Sequence, residues 1–253
     1  FFIFFSMSTP SSNNPWKIFS FILLGIIIGL GVSVSLSGSS DFLAFLKPDP
    51  QKKAMKAFVK QNKDNFAFYA EKTQKTDEGF YGLGEKDAKV KIVEYSDFQC
   101  IYCANFFQNT LGQIKDTYVK TGKAFFVYKD LPLSFHKNAV PALTAARCAG
   151  EQDQFFQMHD MLFSFTDMWS PELDPRPVYT KMSKALDLRN RDFLQCMEKN
   201  SYKDLIEKSS SEATSLKIEA TPGFAINDKI IVGAYPFDAF QKEIESFLTP
   251  ESK

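Results

Sequence analysis

Two scarcities bound the chemistry before any motif is read. The 253 residues contain only two histidines, His136 and His159, and four cysteines. Two histidines leave little room for a histidine-ligated metal or a histidine-centred acid–base scheme. Net charge is missing as well, since 30 Lys and Arg balance 30 Asp and Glu. Binding nucleic acid through counterion release calls for a basic excess, so nucleic acid is not expected as a partner. The remainder is ordinary: 44% hydrophobic and 24% charged residues exclude wholesale disorder and a collagen-like repeat. A chain of this length holds one large domain or two small ones.

One long apolar run is present. Ile18 to Leu36 carries no charge and only three serines as polar residues. It matches the roughly 20 residues that cross a hydrocarbon core, and it exceeds the about 7–15 of a signal-peptide core. A retained membrane anchor over 18–36 is therefore expected. Cleavage near Ser35, Ser37, Gly38 and Ser39, which would release the protein, is the alternative. Lys17 is the single charge before the run and places residues 1–17 on the cytoplasmic side. The chain after the span then lies outside the cytoplasm. FFIFFS ahead of Met7 reads as upstream sequence, with Met7 as the start.

Residues 37–82 read as a linker that contains an amphipathic helix. Pro48 and Pro50 punctuate it, and Lys52, Lys53, Lys56, Lys60 and Lys63 alternate with Met55, Phe58, Val59 and Phe66 near helical spacing. Such a helix packs on a domain with a solvated basic face, or lies on anionic lipid. Gly82 and Gly84 form a G-x-G with no strand before it and no helix after it, so a phosphate loop is rejected.

The strongest local pattern begins at Ala88. Val90, Ile92, Val93 and Tyr95 make a β-rich run that ends at Ser96 and Asp97, both helix-capping types. Phe106, Leu111, Ile114 and Tyr118 then recur at helical spacing until Gly122. Cys100 and Cys103 thus fall where a strand turns into a helix. Free N–H groups and the macrodipole there favour a thiolate, and a C-x-x-C cysteine can drop from about 8.5 to between roughly 3.5 and 7. Two intervening residues let the second thiol attack a mixed disulfide on the first. Cys100 is expected to be the exposed nucleophile and Cys103 the buried resolving thiol. A zinc ribbon needs a second C-x-x-C about 15–20 residues on, and the next cysteine is Cys148. Inert packing of the pair is the other competing reading.

The stretches VKIVEYSDFQCIYC, FFVYKDLPLSFHKNA, AARCAGEQDQFFQMHDMLF and EATPGFAINDKIIVGAYPFDAF follow one another across about residues 83–248. In that order they resemble the DsbA-like branch of the thioredoxin superfamily. The resemblance implies an α/β thioredoxin fold over 83–250 with a helical insertion at about 136–214. It implies that Thr221-Pro222 matches the family's cis-proline, beside the cysteine pair and against an extended substrate. Ile101 and Tyr102 fill the C-x-x-C, where many members have Pro-His or Pro-Tyr, so strong oxidising power is less secure than the fold.

Glu94 sits six residues before Cys100, where the family often has an acid beneath the disulfide. It either relays a proton to Cys103 from a half-buried position or faces outward from the strand. Cys148 and Cys196 both lie in the insertion, and several relatives carry a bridge of this kind. A structural disulfide is favoured over a second redox-active pair, and leftover cysteines outside the cytoplasm tend to pair. His136 and His159 are assigned surface or core roles, and Phe98, Phe106 and Phe107 are candidates for an apolar docking surface. The implied activity is disulfide formation in secreted or surface proteins, with no metal or organic cofactor. The implied partners are unfolded clients and a DsbB- or VKOR-type membrane partner for recycling. A reductase or isomerase, or a non-catalytic client-binding factor, are the alternatives.

Overall fold

The computed structural model describes residues 49–199 and 202–249, which belong to one compact unit. The expected span 18–36, the start at Met7 and the cleavage alternative lie outside these residues. Among the described residues, no helix is long and apolar enough to cross a membrane.

The chain enters through α1 (Pro50–Gln61) and α2 (Lys63–Lys72). Asp49 caps α1 by accepting from the Gln51 and Lys52 N–H groups at 2.9 and 3.4 Å, and Pro50 occupies the first turn, where no N–H is needed. Met55, Phe66 and Tyr69 bury one face, while Lys52, Lys53, Lys56, Lys60 and Lys63 stay exposed.

Six strands form one sheet in the order β1-β2-β4-β3-β5-β6. They are β1 (Thr73–Lys75), β2 (Tyr81–Leu83), β3 (Val90–Ser96), β4 (Ala124–Asp130), β5 (Gly223–Ile226) and β6 (Lys229–Val232). Only β3 and β4 run parallel, joined by a helical crossover over 101–119 that is called α3. Every residue of β4 is buried, as a central strand with both faces covered requires.

The boundary expected at residue 83 needs correction. The sheet begins at Thr73, and the helices before it pack on the same core. Gly82 explains why the strand was missed. It stands inside β2 beneath the Phe125 ring, where an added Cβ would meet ring carbons at 2.1 Å. A single glycine needed for close approach thus resembled a loop signal. Phe224 to Val232 folds into a hairpin, turned at Asn227 with φ +50°.

Between β4 and β5 come α4 (Ala139–Gly150), α5 (Phe155–Ser164), α6 (Thr166–Trp169), α7 (Arg176–Ala185), α8 (Asn190–Lys199) and α9 (Lys203–Ser215). These helices run from Ala139 to Ser215, between the parallel pair and the closing hairpin. The alanines of α4 are buried and small enough to let α5 approach closely. Cys148 on α4 is bonded to Cys196 on α8, with the Cα atoms 5.7 Å apart. The chain closes with α10 (Phe237–Leu248), whose Phe240 and Ile244 pack under the sheet with Phe106 and Phe224.

α3 is not a uniform helix. It starts as Ile101–Phe106, widens into π turns at Phe107–Leu111 and Lys115–Val119, and ends before Gly122 at φ +72°. Lys115 opens the second π turn and enters the core. There its ammonium reaches the Tyr69 hydroxyl and lies 3.6 Å from Asp160. Asp160 also accepts from Tyr69 at 2.8 Å and holds His159 Nδ1 at 2.9 Å. Burial alone pushes the Asp160 carboxyl up, but Lys115, His159 and Tyr69 together hold it below the usual range. Burial keeps His159 on the neutral side, inside a cage of Phe98, Phe107, Tyr128 and Phe163. This places His159 in the core.

Candidate active site

Strand β3 delivers the chain to the cysteine pair through a short turn. The Cys100 N–H donates to the Asp97 carbonyl at 3.0 Å, and Asp97 Oδ1 accepts from the Gln99 N–H at 2.8 Å. Cys100 itself is the N-cap of α3, in extended backbone, so the expected capping by Ser96 or Asp97 is corrected. Asp97 instead makes an Asx turn that aims the first helical turn at the Cys100 sulfur.

The two thiols have opposite environments. Cys100 is held down to about 5, chiefly by a hydrogen bond from Cys103, with further help from the Thr221 side chain and the Cys103 and Tyr102 N–H groups against the opposing effect of burial. Cys103 is pushed well above an ordinary thiol by burial, and then by the hydrogen bond and charge of Cys100 and the charge of Glu94. One sulfur therefore carries the negative charge and the other keeps its proton. Cys100 is not the exposed thiol expected from sequence. It retains 4% of its surface, against none for Cys103. What covers it comes from the far end of the chain.

That cover is Thr221, whose carbonyl oxygen lies 3.4 Å from Cys100 Sγ. The register Tyr95↔Gly223 between β3 and β5 carries the two preceding residues past the end of β3 to the sulfur. The Thr221–Pro222 peptide bond is cis, as the family pattern implied. Residues 121 positions apart in sequence thus meet through one antiparallel pairing.

Glu94 lies on β3 behind the pair, 1% exposed, so it faces inward. Its Oε2 has no hydrogen-bond partner. Burial pushes this carboxyl up to about 8 despite relief from Ser96 and Lys115. A group at that value holds a proton at neutral pH.

Sequence reasoning missed the residues that fasten this turn to the insertion. Asp97 Oδ2 accepts from the Leu133 N–H at 2.9 Å and meets His136 Nδ1 at 2.7 Å. Gln99 accepts from the Asn138 N–H at 2.8 Å and donates to Ser170 at 3.1 Å. Asn138 in turn donates to the Ser170 and Glu172 carbonyls at 3.0 and 2.8 Å. Three separate loops are laced together around the cysteines. The signal available beforehand was the cluster Asp97, Gln99, His136, Asn138, whose members are polar but become half-buried or buried only in the fold.

The exposed surface beside the pair also differs from expectation. Phe98 and Phe106 are buried in the core and Phe107 packs against it, so none of them forms a docking surface. Ile101 at 76%, Tyr102 at 65% and Phe135 at 72% are the apolar groups that face solvent. Next to them runs a groove of about 390 Å³ lined by Gln99, Ile101, Ala104, Gln108, Phe163 and Thr166. Among the described residues, no cluster of three or more metal-ligating side chains occurs.

Comparison with known proteins places this geometry. The match to a Rickettsia prowazekii protein with a provisional protein-disulfide oxidoreductase name is 26% identical over 182 residues, covering 72% of this chain and 66% of that protein. The chain spans less than two thirds of the length of this relative and of a Rickettsia felis counterpart. Disulfide bond formation protein D of Bacillus subtilis is 24% identical over 168 residues, covering 66% of this chain and 76% of that one. Among solved structures, oxidised BdbD from Bacillus subtilis superposes with a TM-score of 0.61 at 24% identity, over 70% of this chain and 97% of the other. Wolbachia pipientis alpha-DsbA1 gives 0.58 at 24%, over 66% and 89%. These structures share the α/β fold. The thioredoxin family model matches residues 75–246, a stretch that contains the cysteine pair, the insertion and the Thr221–Pro222 turn, and the chain belongs to the thioredoxin family.

Proposed function

We propose that the protein is a membrane-anchored, extracytoplasmic thiol–disulfide oxidoreductase that forms disulfides in secreted or surface proteins. The observation that carries this reading is the split between the two thiols, with Cys100 held down to about 5 and Cys103 pushed up. Names of the Rickettsia and Bacillus relatives support the chemistry. The uncharged run Ile18 to Leu36 supports the anchor.

In the oxidising direction, a client thiolate attacks Cys100 Sγ of the Cys100–Cys103 disulfide. The S–S bond breaks, Cys103 takes the electron pair, and Glu94 supplies the proton that this buried sulfur requires. A second client thiolate then attacks the client sulfur of the mixed disulfide and releases Cys100 as a thiolate. The client gains a disulfide and the enzyme gains two electrons. A DsbB- or VKOR-type membrane partner removes them. Thr221 and Pro222 line the path of an extended client, and Ile101 and Tyr102 form its exposed rim.

Holding a thiol at about 5 rather than about 8.5 stabilises the reduced enzyme at pH 7 by about 3 kcal/mol, which corresponds to about 60 mV of added oxidising power. The test is the equilibrium potential of the pair against glutathione. A value near the roughly −120 mV of DsbA supports a disulfide donor, while one near the roughly −270 mV of thioredoxin makes the protein a reductase. The potential should fall by about 30 mV per pH unit above pH 5 and by about 59 mV below it, because Cys100 then takes up a second proton. A uniform 59 mV slope across neutral pH removes the thiolate assignment.

A further inference from the structure

The basic face of α1 plays no part in disulfide exchange. We propose that it is a docking surface for anionic phospholipid, which lays the domain against the membrane that holds its anchor. This inference rests on the anchor half of the proposed function.

At about 100° per residue, Lys52, Lys53, Lys56 and Lys60 fall within an arc of about 100° on α1. Lys63 opens α2 directly beyond them. All five are exposed, and residues 50–63 contain no acidic side chain. None of the five has a carboxylate within ion-pair distance among the described residues, although Lys72, Lys75, Lys86, Lys120 and Lys181 each have one. The nearest capping acid, Asp49, is held by Lys181 at 2.8 Å. The opposite face is fully committed to the fold, with Met55 buried and Phe58 packed edge-on against Phe165 at 5.4 Å. The lysine ridge is therefore rigid and outward, and it is a local excess in a chain whose formal charge is zero.

Charge and tether together select lipid. The 15 residues between Leu36 and Lys52 span at most about 50 Å when extended, so an anchored chain keeps this ridge close to headgroups. The stripe carries no aromatic side chain on which a nucleic-acid base would stack. Lysines near an anionic bilayer each favour the surface by about fivefold, and the effect fades within a screening length.

The test uses the full chain in nanodiscs of phosphatidylcholine alone or with one third phosphatidylglycerol. Acetylation of each lysine is followed by mass spectrometry. Lys52, Lys53, Lys56, Lys60 and Lys63 should react at least about threefold more slowly in the anionic discs, and the difference should vanish near 1 M salt, where screening acts within about 3 Å. Exposed Lys217, Lys229 and Lys242 should react alike in both. In a Lys53→Gln, Lys56→Gln, Lys60→Gln variant, the protection of Lys52 and Lys63 should disappear. Equal reactivity in both discs overturns the docking surface and leaves the anchor intact. Failure of the chain to co-purify with either disc removes the anchor, and this inference with it.

Discussion

Cys100 and Cys103 sit at the first turn of a helix, whereas Cys148 and Cys196 each sit in the last turn of theirs. Helix N-termini offer free N–H groups and a positive dipole end, while C-termini offer carbonyls and a negative end. A thiolate is stabilised at the first position and disfavoured at the second. In the first place the N-cap sulfur is held down while its buried neighbour in the same turn keeps its proton, and in the second the two sulfurs are bonded to each other.

That contrast is broken most sharply by Cys100→Ala, which should abolish disulfide transfer to a reduced client while the chain stays folded, measured by client oxidation and circular dichroism. Retained transfer would remove Cys100 as the reacting sulfur, and a variant that kept the parent's cellular role without transfer would return the protein to a client-binding role. Replacing Cys148 and Cys196 together by Ala should do the reverse. Turnover should persist, and denaturant unfolding should show a loss of about 4 kcal/mol, as expected for opening a loop of 48 residues. Glu94→Gln sharpens the comparison from beneath the active pair. Because its folded value of about 8 lies above an unfolded value near 4.3, the folded state holds an extra proton between these limits, and stability declines as pH rises through that window. The variant should be more stable than the parent by about 3 kcal/mol in the reduced state at pH 7 and equal to it at pH 4, with slower release of Cys103. The smallest effect belongs to His136→Ala, which removes one partner of Asp97 but leaves the two backbone donors. A loss of about 1 kcal/mol is expected, together with a shift of the Cys100 thiolate absorbance titration. No shift in that titration would make the His136 contact purely structural.

The parts of this molecule legible in the sequence are those whose signal is local. The β-rich run of Val90, Ile92, Val93 and Tyr95, the helical spacing after it and C-x-x-C between them lie within about thirty residues, and the structure has the two cysteines at that strand-to-helix turn. Thr221–Pro222 was legible only through the family pattern, since the β3–β5 register that brings it to Cys100 is a property of the sheet. Glu94 remained open because strand alternation does not say which face is covered, and both are. The burial of Cys100 was hidden for the same reason, since its cover is 121 residues distant. Lys115, Asp160 and Lys129 were invisible as core residues because charged side chains are rarely buried unless paired, and their partners come from other elements. Lys129, for example, lies 2.8 Å from Glu78 and 2.5 Å from Glu212, one before β2 and one on α9.

The lacing of Gln99 to Asn138 and Ser170 bears on how this architecture can be recombined. The Asn138 N–H and the Ser170 carbonyl that seat Gln99 are main-chain groups, so it is the path of two cap loops that holds the turn, and a grafted cap whose loops ran elsewhere would leave the cysteine turn without this frame. The insertion is therefore not an interchangeable module. Cap and turn have to drift together, and chimeras should be cut outside residues 97 to 172 rather than at the sheet edges that seem the natural seams.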